Sequence, residues 1–331
     1  MDENLSHDEK IRRLRKRLEQ LNRSFVKEQP ASFSADDVRK RLRERRRPPS
    51  GPPVVHEAPK PVVYRRGLPR SEAVSPRPAQ SPAVPVTLED AVDGELVGAP
   101  GGGACLLVST RVDEVERRQQ LSRRFRELFE DQHSPLRQRL HRTCGNPPGS
   151  LSELLFMDIE TTGLSNVPLF LIGIMTWENG AFHVHQFLAR SYAEEAAVVA
   201  LFVERASRCR VVVTFNGKSF DIPFIRTRAA ATGVRFAAPA HHVDLLHEAR
   251  RVWRGTLPDC KLQTLESIVC GHGPRYGDIP GAEIGDAYHA FVRSGNAWQI
   301  VEILKHNMLD LVTLAEILTH LPPLERPVKG T

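Results

Sequence analysis

Asn179-Gly180 stands between two apolar runs of strand length, and this limits the possible fold more than any other local feature of the chain. An Asn-Gly pair suits a two-residue turn in which both residues take positive φ, and such a turn joins antiparallel strands. The run over 170–177 is apolar almost throughout, whereas 182–188 alternates apolar with polar residues, as a strand with one buried face does. A third apolar run, 154–159, precedes them, so three antiparallel strands come first. Ser191 and Glu194 then have the spacing of a capping box at the head of a helix running to about 207. A strand over 210–215 follows, then a helix over about 221–232 with Gly233 beyond its end. From there to 321 the pattern is mostly helical and closes in a long helix over about 297–319. The order β-β-β-α-β-α predicts an α/β domain over 148–321, entered at the turn pair Pro148-Gly149.

The rest of the 331-residue chain reads differently. Residues 86–147 hold a strand-like segment over 105–109 behind three consecutive glycines, then a charged helical stretch over about 113–130, which together make a small accessory element. Residues 1–85 are a basic, proline-rich tail, expected to be largely disordered. Residues 1–80 carry 20 Lys and Arg against 11 Asp and Glu, a net of +9, although the whole chain nets only +6. The span 48–85 holds 11 of the 25 prolines and shows no apolar periodicity, the mark of an extended linker. Ile11, Leu14, Leu18 and Leu21 recur at a/d spacing behind Ser6 and Glu9, which predicts a short N-terminal helix. Residues 322–331 form a C-terminal tail. A basic tail on an otherwise slightly acidic chain suits a polyanion such as nucleic acid or an acidic membrane surface; the plainer reading is a solvated tail.

Five scattered cysteines without a C-x-x-C pair read as reduced thiols. Cys260, Cys270 and His272 lack the tight ligand pair of a structural zinc site. With no apolar stretch of membrane-span length and no signal-peptide core, the expectation is a soluble, cytoplasmic protein without a membrane partner.

Three acidic segments carry the chemistry. Asp158-Ile159-Glu160 ends the first strand, and alternation turns both carboxylates to one face with Ile159 on the other. Thr161-Thr162-Gly163 then turns the chain. Asn216-Gly217-Lys218-Ser219-Phe220-Asp221 follows the fourth strand and places Asp221 near a helix N-terminus, where an ordinary N-cap is the plainer role. His306 and Asp310 lie four apart on the last helix and share a face; alone they read as a helix-stabilising pair. A solvated edge pair is likewise the plain reading of Asp158 and Glu160 taken alone.

Taken together, Met157-Asp158-Ile159-Glu160-Thr161, Asn216-Gly217 through Phe220-Asp221, and His306-Asn307 through Asp310 resemble, in order and setting, the three motifs of the DEDD 3′→5′ exonuclease superfamily. The wording is similar to the proofreading exonuclease of family B DNA polymerases and more so to bacterial YprB-type RNase H-like proteins. Val243-Asp244-Leu245-Leu246, the segment from Cys260 to Glu266, and Gly277-Asp278-Ile279-Pro280-Gly281 extend that likeness, which covers roughly 86–321. The resemblance implies an RNase H-like core, a mixed five-stranded sheet flanked by helices. It implies a metal-dependent hydrolase acting on phosphodiester bonds, with Mg²⁺ or Mn²⁺ as two ions. By resemblance, Asp158 bridges both ions, Glu160 and Asp310 complete the first site, and Asp221 acts through water at the second. Hard carboxylate oxygens suit these cations. Asn216 and Phe220 resemble family residues that meet the terminal nucleotides, with Thr161 and Lys218 as further substrate contacts, although a surface role is the plainer account of Lys218.

One position departs from the pattern. The tyrosine branch of the superfamily has Tyr four residues before the last Asp, and the histidine branch has His five before, here Lys305. This chain puts His306 in the tyrosine slot, where a neutral imidazole would orient or deprotonate the attacking water. The expectation is thus a 3′→5′ exonuclease on single-stranded DNA or RNA or on 3′ ends, with a helicase or other nucleic-acid-processing protein as a partner. The alternatives are a noncatalytic nucleic-acid-binding module and a structure-specific endonuclease.

Overall fold

Seven strands form one mixed sheet: β1 (Glu95–Gly98), β2 (Ala104–Arg111), β3 (Leu154–Thr161), β4 (Leu169–Glu178), β5 (Ala181–Leu188), β6 (Val211–Thr214) and β7 (His241–Asp244), in the order β1-β2-β5-β4-β3-β6-β7. The computed structural model describes residues 85–165, 167–273, 275 and 277–324. The expectations for the N-terminal helix, the proline-rich linker and the last residues of the chain lie outside them. The hairpin closes as its turn residues require: Asn179 and Gly180 have φ of 49° and 85°, and Glu178 pairs with Ala181. β3 joins β4 antiparallel and β6 parallel, and β6 joins β7 parallel. β3 to β7 are therefore the five strands that the resemblance implied. The last of them, only four residues long, interrupts the stretch from 233 to 321 for which the sequence predicts mostly helix.

The other two strands come from residues 86–147. β2 lies antiparallel along β5, with Leu107 opposite Phe187, and β1 lies along β2. The outer edge of β5 would otherwise present unpaired N–H and C=O groups. After the short α1 (Leu88–Ala91), the stretch over about 113–130 expected as one charged helix is a 3-10 turn (Val112–Glu114) followed by α2 (Leu121–Glu130), and α3 (Pro135–Cys144) lies beyond it. Helix begins only where Leu121, Phe125 and Phe129 supply a buried stripe. α3 starts at Pro135 under a Ser134 side chain that accepts the Arg137 N–H.

Of the following helices, α4 (Glu195–Ala206) and α5 (Asp221–Ala231) pack side by side, α4 against β2, β4 and β5. The capping box expected at Ser191 and Glu194 does not form. A 3-10 turn over Tyr192–Glu194 leads into α4, and Glu194 accepts instead from the Arg190 backbone N–H at 2.7 Å. α6 (Leu245–Trp253), α7 (Leu262–Leu265) with a π turn (Glu266–Cys270), α8 (Ile284–Ser294) and α9 (Trp298–His320) complete the described elements. Among the described residues no helix is long and apolar enough to cross a membrane.

α9 packs against β3, β4 and β5. Asp158, Gly173 and Gln186 stand side by side on these strands, so they share a face. Gly173 lets the helix approach: a Cβ there would overlap the Asn307 side chain. Gln186 donates to the Leu304 carbonyl at 2.8 Å and to Asn307 Oδ1 at 2.9 Å, which fixes the helix in register over the acidic strand.

Candidate active site

β3 outruns its parallel neighbour. It pairs with β6 only as far as Phe156, opposite Val213, so Met157 to Thr161 leave one edge of the strand unpaired at the ends of the parallel strands. Asp158 and Glu160 project from this stretch on the α9 side, as alternation requires, and the register against β4 shifts between Glu160 and Thr161. Such an irregularity re-aims the side chains beside it.

Asp221 closes the open edge. It is the first residue of α5 rather than the N-cap, which is Phe220, and its buried carboxyl accepts the N–H of Ile159 and its own amide. The third segment arrives on α9. Asn307, fully buried, donates to Asp158 Oδ2 at 2.8 Å. Asp310 follows one turn later, with His306 Nε2 3.6 Å from its Oδ2.

The carboxyls of Asp158, Glu160 and Asp221 hold their protons more tightly than free carboxylates do. Burial first, then the charges of Glu160, Asp310 and Asp221, push Asp158 well above the usual carboxylate range. Glu160 is pushed to about 8, by burial and by Asp310 and Asp221, with His306 opposing. Asp221 rises to about 7 through burial and Asp244, opposed by its two backbone bonds. Mutual repulsion among buried oxygens is relieved by a cation, and hard oxygen donors fit a hard divalent ion. The acids are nevertheless partly engaged with protein groups. Arg275 Nη1 lies 2.6 Å from Asp310 Oδ1, and among the described residues no three His, Cys, Asp or Glu side chains yet enclose a point that an ion would fill.

His306 differs from expectation in its charge state. Its Nδ1 meets Asp278 Oδ1 at 2.8 Å. Burial works against the charged ring, but that bond and the charges of Asp310, Glu160 and Asp278 prevail and raise it to about 9. The neutral imidazole expected from its ordinary pKa is therefore not the form that these surroundings favour at neutral pH.

The segment after β6 is built around Asp244. Its buried carboxylate accepts the N–H groups of Asn216 at 2.9 Å, Lys218 at 3.1 Å and Leu246 at 3.1 Å. Asn216 takes a positive φ of 65°, and Gly217 sits so close to Thr214 that a Cβ would overlap that side chain. Lys218 is exposed, while Phe220 is half-buried with its ring 5.5 Å from that of Phe224. The Thr161 hydroxyl donates to the Gly163 carbonyl at 2.5 Å and so braces the turn after β3.

Asp244, Glu266 and Asp278 lie in the auxiliary motifs that the resemblance singled out, without a role readable from spacing. Arg275 carried no signal at all: a lone arginine in a loop is ordinarily a surface residue.

The sequence profile of the RNase_H superfamily matches residues 155–322. A Bacillus subtilis (strain 168) relative, "Uncharacterized protein YprB", is 31% identical over 177 residues, which are 51% of this chain and 42% of that protein. The chain thus spans less than half of that relative's length. Two solved structures are also similar. The family B DNA polymerase of the hyperthermophilic archaeon Pyrobaculum calidifontis is 18% identical with a TM-score of 0.39, over 52% of this chain and 24% of that one. The zinc-bound E. coli ExoI–ssDNA complex is 16% identical with a TM-score of 0.30, over 48% of this chain and 45% of that one. With the profile match covering just over half its length, and a sheet and helix order that agree with it, the chain belongs to the RNase_H superfamily.

Proposed function

We propose that this protein is a metal-dependent nuclease, acting as a 3′→5′ exonuclease on single-stranded DNA or RNA. The observation that carries the proposal is the group of Asp158, Glu160, Asp221 and Asp310, brought from three segments to one open strand edge, where the charges of the others raise the proton affinity of Asp158 and Glu160. A surface that merely binds a polyanion gains nothing from such a group. Superfamily membership supports nuclease chemistry.

These four residues would hold Mg²⁺ or Mn²⁺, as two ions, and such ions supply an activated water and stabilise the leaving oxygen of a phosphodiester. The rest falls to the chain itself. Asn307 orients Asp158, the Ile159 N–H orients Asp221, and Asp278 fixes the His306 ring so that Nε2 faces Asp310. Asn216 and Phe220 meet the terminal nucleotides on a loop that Asp244 holds, with Phe220 offering an aromatic face for stacking. Thr161 and Lys218 stand beside them, and the basic tail adds sequence-independent phosphate contacts.

The test is incubation with 5′-labelled single-stranded DNA and RNA in Mg²⁺, Mn²⁺ or EDTA, beside Asp158→Ala. A ladder shortening from the 3′ end, lost in EDTA and in the variant, is the expected result. Internal cuts would point to an endonuclease, and tight binding without cleavage in either metal to a noncatalytic module.

A further inference from the structure

The acidic site has a buried cation of its own, and it belongs to neither the sheet nor α9. Arg275, between the π turn and α8, has a side chain only 8% exposed; its Nη1 is 2.6 Å from Asp310 Oδ1 and 3.6 Å from Asp278 Oδ2. Its Nε donates to Glu266 Oε2 at 2.7 Å. Glu266 is held from the other side by Arg118 at 3.1 Å, and Arg118 also meets Glu316 at 3.0 Å. Asp158 and Asp221, by contrast, take neutral N–H donors from Asn307 and Ile159.

A guanidinium at that distance fills the direction from which another cation would approach the same oxygen, and two cations cannot share it without strong repulsion at short range. Yet Arg275 meets Asp310 and Glu266 through different nitrogens. It can leave the first and keep the second, so its charge need never be buried alone. Without ion or guanidinium, the partly buried Asp310 would keep only His306, 3.6 Å away, as a cationic neighbour, a costly state that explains why Arg275 stands there.

We propose that Arg275 is a built-in counter-ion of the site, holding Asp310 while no divalent ion is bound and withdrawing onto Glu266 when one binds. The inference rests on the metal-binding reading above. Ion and guanidinium compete for one carboxylate, so each weakens the other's hold by the same factor.

The experiment is calorimetric titration of the full-length protein with Mn²⁺, for wild type, Arg275→Gln, Arg275→Lys and Asp158→Ala, with circular dichroism as a check on folding. Arg275→Gln is expected to bind Mn²⁺ at least about fivefold more tightly than wild type. Arg275→Lys keeps the charge but not the two separate nitrogens, so its Mn²⁺ affinity should stay below that of Arg275→Gln, an order that loss of a purely structural contact would not produce. A folded Arg275→Gln that binds equally or more weakly overturns the counter-ion role while leaving the metal site intact. Absence of Mn²⁺ binding in the folded wild type overturns the metal reading and this inference with it. If Arg275→Gln does not fold, the Arg275 Nη–H resonance of wild type, assigned by its loss in Arg275→Lys, decides, because Nη1 is the nitrogen that faces Asp310. Movement on saturation with Mg²⁺ supports the proposal, and an unmoved resonance refutes it.

Discussion

At the scale of the residue, His306 and the acids around it set the sharpest expectations. Asp278 fixes the ring, so His306→Ala should lower turnover by about 100-fold, in the range of a lost acid–base or positioning group, with Mn²⁺ affinity within about twofold of wild type. Asp278→Asn should lower turnover in the same direction, because it removes a charge that holds the ring in its charged form. Single-turnover cleavage beside calorimetry tests both, and wild-type rates in His306→Ala would remove it from the chemistry. The raised carboxyls also make a statement about stability. Glu160 at about 8 and Asp221 at about 7 bind protons that the unfolded chain has already lost above its ordinary carboxylate range, so the native state holds the extra protons. Stability from these two groups is complete at acid pH, below about 4, and is lost as pH rises to about 8. Metal-free protein should therefore melt progressively lower in chelator from pH 5 to 8, and Glu160→Gln should flatten the slope; a melting temperature that rises over this range contradicts the assignment. The four acids and His306 stood out as candidates in the sequence because D-x-E on a strand, an Asp at a helix start and an i, i+4 pair on a helix are local patterns, joined into one site by the resemblance. The charge on His306 was not, since it depends on Asp278, 28 residues away in the chain.

At the scale of the element, the approach of α9 to the sheet positions the third acidic segment. Gly173→Ala places a methyl group on the Asn307 side chain and beside Leu311, so it should destabilise the protein by about 1–3 kcal/mol, the usual effect of overpacking, as urea denaturation would read. Cleavage should fall with it, because Asn307 is the donor to Asp158. A stable, fully active Gly173→Ala would mean that the helix has room that the geometry denies it. The loop after β6 makes the second case. Asp244→Ala leaves three backbone N–H groups without their acceptor, and the Asn216 conformation at φ 65° without its brace. KM for single strands should rise more than kcat falls, and hydrogen exchange over 216–218 should quicken; unchanged protection there would refute the role. The hairpin, the strand after α4 and the closing helix were readable from turn chemistry and periodicity. β7 was not, because four residues between two helices give too short an alternation to register as a strand.

At the scale of the molecule, residues 86–147 are built into the same sheet as the site. β2 covers the edge of β5, and Arg139, 2% exposed, reaches Glu248 on α6 at 2.6 Å. Glu248 also meets Arg142 and Arg251 at 2.5 Å, so Arg139→Ala leaves the carboxylate paired and should lower stability by about 1–3 kcal/mol through the lost buried contacts, measured by urea unfolding; an unchanged stability would contradict this. Deletion of residues 1–84 should instead leave folding and kcat intact while flattening the dependence of log affinity on log salt, since fewer phosphate contacts release fewer counter-ions. Binding assays over a salt series read that slope, and an unchanged slope would exclude the tail from substrate contact. By itself the sequence determined the strand hairpin, the helices on either side of β6 and the closing helix, and it singled out the four acids as candidates, because turn residues, alternation and helical spacing act over a few residues. Only tertiary structure decided that Arg275 holds Asp310, that Asp278 raises His306, that Asp244 braces the loop after β6 and that two further strands extend the sheet. Those pairings join segments distant in the chain, and buried charges find their partners through packing rather than through spacing.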